Sequence, residues 1–259
     1  MALAKVISKL LRLHTTYYVL LITSYGLLYG LDTASTAATL SRIKQRFDLS
    51  PVQTEYIGAS TSLGAILGLL IIVAFGGTRC SRKTLLLTDS IAYVTGFVLV
   101  GVATNYTVFV AGRTILGIAH GVSTMIVPVY VGEISPKEYR GLFITFNTAA
   151  LNLGLPLGFG LAMGLDSYVD ISRWLFIISG ALSLAFASLV ARFVPNSPRD
   201  LVYHGRLEKA QEVIKKLSYP DTLTQDEMVQ EINALVKVFE ENKKARFKDL
   251  FTAGNAKAL

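Results

Sequence analysis

Two ionisable residues of opposite sign, Asp32 and Arg113, stand inside stretches of sequence otherwise suited to hydrocarbon. An ionised side chain near the centre of a bilayer costs on the order of 2.5–3.5 kcal/mol on insertion scales, so each needs a partner or a task. If the first and fourth apolar stretches are antiparallel helices, both residues fall about 6 positions, or about 9 Å, from the same membrane face. An acid and a base at one depth can pair and offset much of their desolvation cost. A proton on the acid would then release the base, a small charge change acting on a packed element. A purely structural ion pair is the alternative. His120 lies two turns from Arg113 on the same helical face. An imidazole changes protonation near neutral pH, so His120 is either a proton relay or a packing histidine. Asp89, close in sequence to Arg79, Arg82 and Lys83, reads as part of an interface salt bridge.

Polar side chains recur at helical spacing around these charges. Tyr25, Tyr29, Asp32 and Thr36 form one stripe, and Arg113, Gly117, His120 and Thr124 repeat its spacing. Thr145, Thr148 and Asn152 form a third. Any one stripe could serve only interhelical hydrogen bonding; three together point to a shared wet cavity. The small-residue pairs Gly64/Gly68 and Gly117/Gly121 have the spacing that brings helix backbones close. The sequence has no Walker loop, HExxH, GxSxG or paired Cys/His ligand set, so it suggests no enzyme, cofactor or metal site.

The elements that must hold these residues follow from composition. Of 259 residues, 52% are hydrophobic and only 17% charged, with a mean hydropathy of +0.48, whereas soluble domains carry about 25% charged residues. The single Cys80 excludes a disulfide-stapled fold. Six apolar stretches, near 17–38, 55–76, 84–103, 107–131, 142–164 and 172–193, each approach the roughly 20 residues a helix needs to cross a bilayer. Spans of that length are helices, not barrel strands. The fold class expected is all-α and membrane-embedded: a six-helix bundle over 1–193 and a cytosolic helical segment over 194–259. With the N-terminus inside, the inner segments carry Lys5, Lys9, Arg12, Arg79, Arg82, Lys83, Lys137 and Arg140. The outer ones carry Arg42, Lys44, Arg46 and Arg173. This bias places both termini in the cytosol. The net charge of +7 then belongs to a membrane surface rather than to nucleic acid. Residues 2–13 have the pattern of a short in-plane helix or a solvated basic tail. In the tail, Ser197, Pro198 and Asp200 start a helix that Pro220 ends. Thr224 and Glu227 open another, with Met228, Ile232, Leu235 and Phe239 on its apolar face.

From Arg113 to Gly141 the residues Arg113, Gly117, Gly121, Pro128, Tyr130, Glu133, Pro136, Arg140 and Gly141 follow the pattern R-x3-G-x3-G…P-x-Y-x2-E-x2-P-x3-R-G. This resembles the signature of the sugar porter family of the major facilitator superfamily. Tyr29 to Thr33, Pro195 to Arg199, Gly205 to Leu207 and Phe247 to Phe251 resemble further motifs of the same family. The loop motif G-x-L-A-D-R-x-G-R-R is similar to residues 74–83, with Thr78 and Ser81 in place of its Asp and second Gly. Asn196 stands for the Glu of PESPR. Thr148 stands for a sugar-contacting Gln.

The resemblance implies the first half of a twelve-helix secondary transporter, followed by its inter-half linker. It implies a sugar or polyol as solute and a proton as coupling ion through Asp32 and Arg113. Tyr25, Tyr29, Thr36, Thr124, Thr148 and Asn152 are then cavity residues, and Arg79, Arg82, Lys83, Glu133, Arg140 and Arg199 belong to cytosolic gating motifs. A C-terminal half or a second copy would complete the site, in the plasma membrane or an organelle membrane. The alternative is a non-transporting truncated protein that binds or regulates a full-length porter.

Overall fold

The computed structural model describes residues 14–75, 80–136, 139–165, 170–217 and 236. The basic segment before His14, Arg79, Lys137, and the tail with Pro220, Thr224, Glu227 and the 247–251 motif lie outside them. Eight helices occur among the described residues: α1 His14–Phe47, α2 Pro51–Phe75, α3 Arg82–Val102, α4 Tyr106–Ile134, α5 Arg140–Leu165, α6 Ile171–Phe193, α7 Pro198–Tyr203 and α8 Leu207–Leu217. The chain divides into two compact units between Pro195 and Asn196.

Local chemistry explains the helix ends. Ser50 and Gln53 form a reciprocal capping box, with Ser50 N donating to Gln53 Oε1 at 2.9 Å and Gln53 N donating to Ser50 Oγ at 3.3 Å. Pro51 occupies the first helical position, where a missing N–H costs nothing. Ser81 caps α3 by accepting from Thr84 N, and Asn105 caps α4 by accepting from Val108 N.

The first helix corrects an expectation. It runs through Arg42, Lys44 and Arg46, which the charge pattern placed in an outer loop, because neither Gly nor Pro interrupts residues 31–47. It stops where Asp48 takes φ 48°, with Leu49 N donating to Lys44 O and Asp48 N to Gln45 O. This is a Schellman ending with Asp where Gly is usual.

Five helices, α2 to α6, are long and apolar enough to cross a membrane. The 34-residue α1 is long enough but carries Thr23, Ser24, Asp32, Ser35 and Thr39, all of them buried inside the bundle.

Packing is arranged twice over. α1 packs along α5 and against α6; α4 packs along α2 and against α3. At the α1·α5 crossing a Cβ on Gly30 would lie 2.1 Å from Leu151 O, and one on Gly154 would lie 2.4 Å from Leu27 O. At the α2·α4 crossing a Cβ on Gly64 would lie 2.3 Å from Thr114 O, and one on Gly117 would lie 2.2 Å from Thr61 O. Only backbone-to-backbone contact fits such seams. The correspondence of α1–α3 with α4–α6 has the form of an inverted repeat. α4 is the most buried of the five apolar helices and α5 the least. The outward faces of α2 and α5 carry exposed Leu63, Ile66, Leu70, Leu153, Leu157 and Met163.

In the second unit a single helix was expected from Ser197 onward, and the structure holds two. Pro198 opens α7 behind Ser197, whose side chain accepts from Arg199 N. Gly205, at φ 70°, ends it, with Arg206 N donating to Leu201 O and Gly205 N to Val202 O. The left-handed glycine turns the chain before α8 begins. Leu201, Val202 and Ala210 form this unit's small core, with Val213 and Val236 against it.

Candidate functional site

The two seams fix the depth and rotation of α1 and α4, and between those helices lies the charged centre. Asp32 stands one turn past Tyr29, beside the Gly30 contact with α5. Arg113 stands one turn before Gly117, which is locked against α2. Arg113 Nη1 donates to Asp32 Oδ1 at 2.5 Å, with the two side chains 5% and 1% exposed. The depth arithmetic from the sequence thus brings together the two residues it singled out. A buried, charge-assisted bond of this kind is strong only as long as both partners keep their charge.

His120 completes a cluster. Its Nε2 lies 3.7 Å from Asp32 Oδ2, the carboxylate oxygen that has no hydrogen-bond partner. The imidazole is stacked on Tyr29 at 4.2 Å between ring centroids and tilted against Tyr93 at 5.5 Å. A charged imidazole there would face a carboxylate on one side and a guanidinium one residue pair away. The imidazole thus stands within ion-pair reach of the carboxylate that also holds the Arg113 guanidinium.

The remaining expected residues divide. Thr124 on α4 and Thr148 and Asn152 on α5 are exposed, and Tyr29 and Thr36 on α1 are half-buried. Tyr25 does not line an open face. It is 1% exposed, its hydroxyl bonded to Ser90 Oγ and donating to Leu86 O at 3.3 Å. Its ring packs edge-on against Tyr93. The stripe places Tyr25 on the polar side of α1, but at that level the polar side meets α3.

At the end of the bundle where α3 begins and α4 finishes, Arg82 Nε lies 3.5 Å from Glu133 Oε1. Lys83 Nζ donates to Ala191 O at 2.8 Å, closing a free carbonyl near the end of α6. At the same end the Tyr130 hydroxyl donates to Pro195 O. Arg140 is exposed at the start of α5, and Arg199 lies in the first turn of α7.

Two features escaped the sequence reading, and a third residue was assigned a different role. Gly26/Gly30 and Gly154/Gly158 form the second seam, and their spacing was visible. Tyr93, whose hydroxyl is bonded to Ser123 Oγ at 2.9 Å, was hidden among apolar neighbours. Asp89, expected in an interface salt bridge, is 4% exposed and belongs to no ion pair among the described residues, and Arg82 reaches Glu133 instead.

Comparison with known proteins matches this chain to the family described as "Sugar (and other) transporter" over residues 18–258. It is 32% identical over 208 residues to Probable polyol transporter 4 of Arabidopsis thaliana, covering 79% of this chain and 39% of that protein. It is 34% identical over 197 residues to the Arabinose-proton symporter of Escherichia coli (strain K12), covering 74% of this chain and 40% of that one. Among solved structures, the proton:xylose symporter XylE bound to 6-bromo-6-deoxy-D-glucose superposes with a TM-score of 0.82 at 22% identity, over 92% of this chain and 55% of that chain. XylE from E. coli in a partially occluded inward open conformation gives 0.79 at 22%, over 88% and 60%. At that identity the likeness establishes the fold: the major facilitator fold of an integral, multi-pass membrane protein. The chain spans less than half the length of the curated relatives it matches. It belongs to the sugar transporter family.

Proposed function

We propose that this bundle is one wall of a secondary transporter for a sugar or polyol, driven by protons through Asp32 and Arg113. The observation that carries the reading is the buried Asp32–Arg113 bond, with His120 at the unpartnered carboxylate oxygen. The names of relatives agree in kind: a polyol transporter, an arabinose-proton symporter and a human proton myo-inositol cotransporter. The family is one of transporters, not of enzymes.

In this reading Tyr29, Thr36, Thr124, Thr148 and Asn152 face the solute. Their hydroxyls and amide offer the donors and acceptors that a polyhydroxylated molecule needs. A second six-helix bundle, from a C-terminal half or a second copy, supplies the facing wall, since sites of this architecture lie between two halves. The Lys/Arg bias supports a cytosolic side for both termini, for the bundle end that carries Arg82, Lys83, Glu133 and Arg140, and for Arg199 in the segment that follows. Protonation of Asp32 weakens its hold on Arg113 and shifts the balance between two packings of the helices.

The test is uptake of labelled polyols and hexoses into proteoliposomes under an imposed proton gradient, with the chain alone and with a porter of the family. Gradient-driven uptake that Asp32→Asn abolishes, with exchange retained, supports the reading. Uphill uptake unchanged in Asp32→Asn overturns proton coupling. Co-purification with a porter, together with no uptake by the chain alone, supports a regulatory protein instead.

A further inference from the structure

Asp89 is a buried acid that the Asp32 site does not use. It lies on the buried face of α3 with Leu86, Ser90, Tyr93 and Phe97. Both its carboxylate oxygens lack a hydrogen-bond partner, and no ion pair among the described residues includes it. The cations nearest in sequence are engaged elsewhere, Arg82 with Glu133 and Lys83 with Ala191 O. Hydroxyl groups stand near it on its own helix and on the helix across from it. From α1 comes Tyr25, bonded to the adjacent Ser90. Tyr93 stands one turn further along α3, bonded to Ser123 of α4 and packed against His120. α6, which packs along α3, carries the buried Ser183, whose hydroxyl has no partner, and its cations Arg173 and Arg192 sit at its two ends.

An ionised carboxylate in such a place, with neither a cation nor a donor, is too costly to persist and neutralises. Asp89 is not isolated from the charged centre. Tyr25, level with Ser90, and Asp32 are seven residues apart on α1, so the two acids lie about 10 Å apart in depth. Between them stand Tyr93 and His120, the latter 3.7 Å from Asp32. At about 10 Å and an effective dielectric near 20, one unit charge alters the proton affinity of the other site by about tenfold.

We infer that Asp89 is a second proton-binding site of the bundle, coupled to Asp32 across the buried Tyr25, Tyr93 and His120. The consequence is that the bundle carries two protonatable acids at two depths, one with a guanidinium partner and one without. Because the inference concerns proton occupancy and not solute, it can fail while the transport reading stands.

The experiment is infrared difference spectroscopy on the purified chain in lipid, in H2O and in D2O. A C=O band of a protonated carboxyl is expected at neutral pH, shifting in D2O and absent in Asp89→Asn. In Asp32→Asn, where a negative charge is lost and Arg113 is left uncompensated, its titration midpoint should move toward lower pH by about one unit, a tenfold loss of proton affinity. No band lost in Asp89→Asn would show an ionised acid and overturn the inference. A band that ignores D2O, or a midpoint that ignores Asp32→Asn, would show a sealed, uncoupled acid and overturn it equally. The D2O arm needs no variant, so a folding defect in either substitution leaves the test standing.

Discussion

The Asp32–Arg113 bond lends itself to a double-mutant cycle. Asp32→Asn leaves a guanidinium 5% exposed with no opposite charge, and Arg113→Gln leaves a carboxylate 1% exposed with only His120 near it. Removing one partner of a buried pair costs about 3–5 kcal/mol. The charge centres of a carboxylate and guanidinium in direct contact are about 4 Å apart, which at an effective dielectric of 20 gives about 4 kcal/mol of attraction. The double variant removes both charges and both desolvation penalties, so it should cost less than either single change. At about 2–4 °C per kcal/mol for a chain of this size, each single variant loses about 10 °C in apparent melting temperature, and the double variant recovers most of it. The assay is thermal denaturation of the detergent-purified protein, followed through the fluorescence of its single tryptophan, Trp174. Single effects that simply add, with a coupling below about 1 kcal/mol, are what a solvent-screened pair gives; that result would refute the buried pair as the organising contact.

Two glycines of α5 should respond in opposite directions to one substitution. Gly154→Ala drives a Cβ into Leu27 O and should cost about 1–3 kcal/mol, whereas Gly160→Ala meets nothing within 4 Å and should gain up to about 1 kcal/mol in helix propensity; their melting temperatures must separate in that order. Asp48→Gly relieves a side chain at φ 48° and should stabilise the end of α1 by about 1 kcal/mol, read as a higher melting temperature with unchanged helix content by circular dichroism.

How much of this could be read from sequence depended on whether the deciding contact was local. The starts of α2, α3, α4 and α7 follow from Ser50, Ser81, Asn105 and Ser197, whose capping acts within three residues. The Asp32–Arg113 bond was legible although the two residues are far apart in the chain, because membrane thickness converts residue number into depth. Tyr25 was misplaced because a stripe shows which face of a helix is polar, not whether that face meets water or a neighbouring hydroxyl such as Ser90. Asp89 was misread for a related reason. Closeness along the chain to Arg82 and Lys83 suggested a partner, but two helical turns separate Asp89 from them, and both extend away from it. The length of α1 was underestimated because Arg42, Lys44 and Arg46 suggest a loop by charge, while nothing in their backbone preferences ends a helix.

The arrangement of seams limits where a switch can act. α1 is locked to α5 at Gly30 and Gly154, and α4 to α2 at Gly64 and Gly117, by contacts in which backbone meets backbone. Such surfaces have no side chains to repack, so each helix pair moves as a body. α1 and α4 meet through side chains that include the Asp32–Arg113 bond and, beside it, the His120–Tyr29 stack. Were that bond released by a proton, as proposed, both seams would be untouched and the change would fall on the contact between α1 and α4. This is the mechanical condition for a small charge change to yield a rigid-body shift rather than local loosening. It also explains why the costly charges stand at that joint: on either seam they would have no room, and on the outward faces of α2 and α5 they would have no partner.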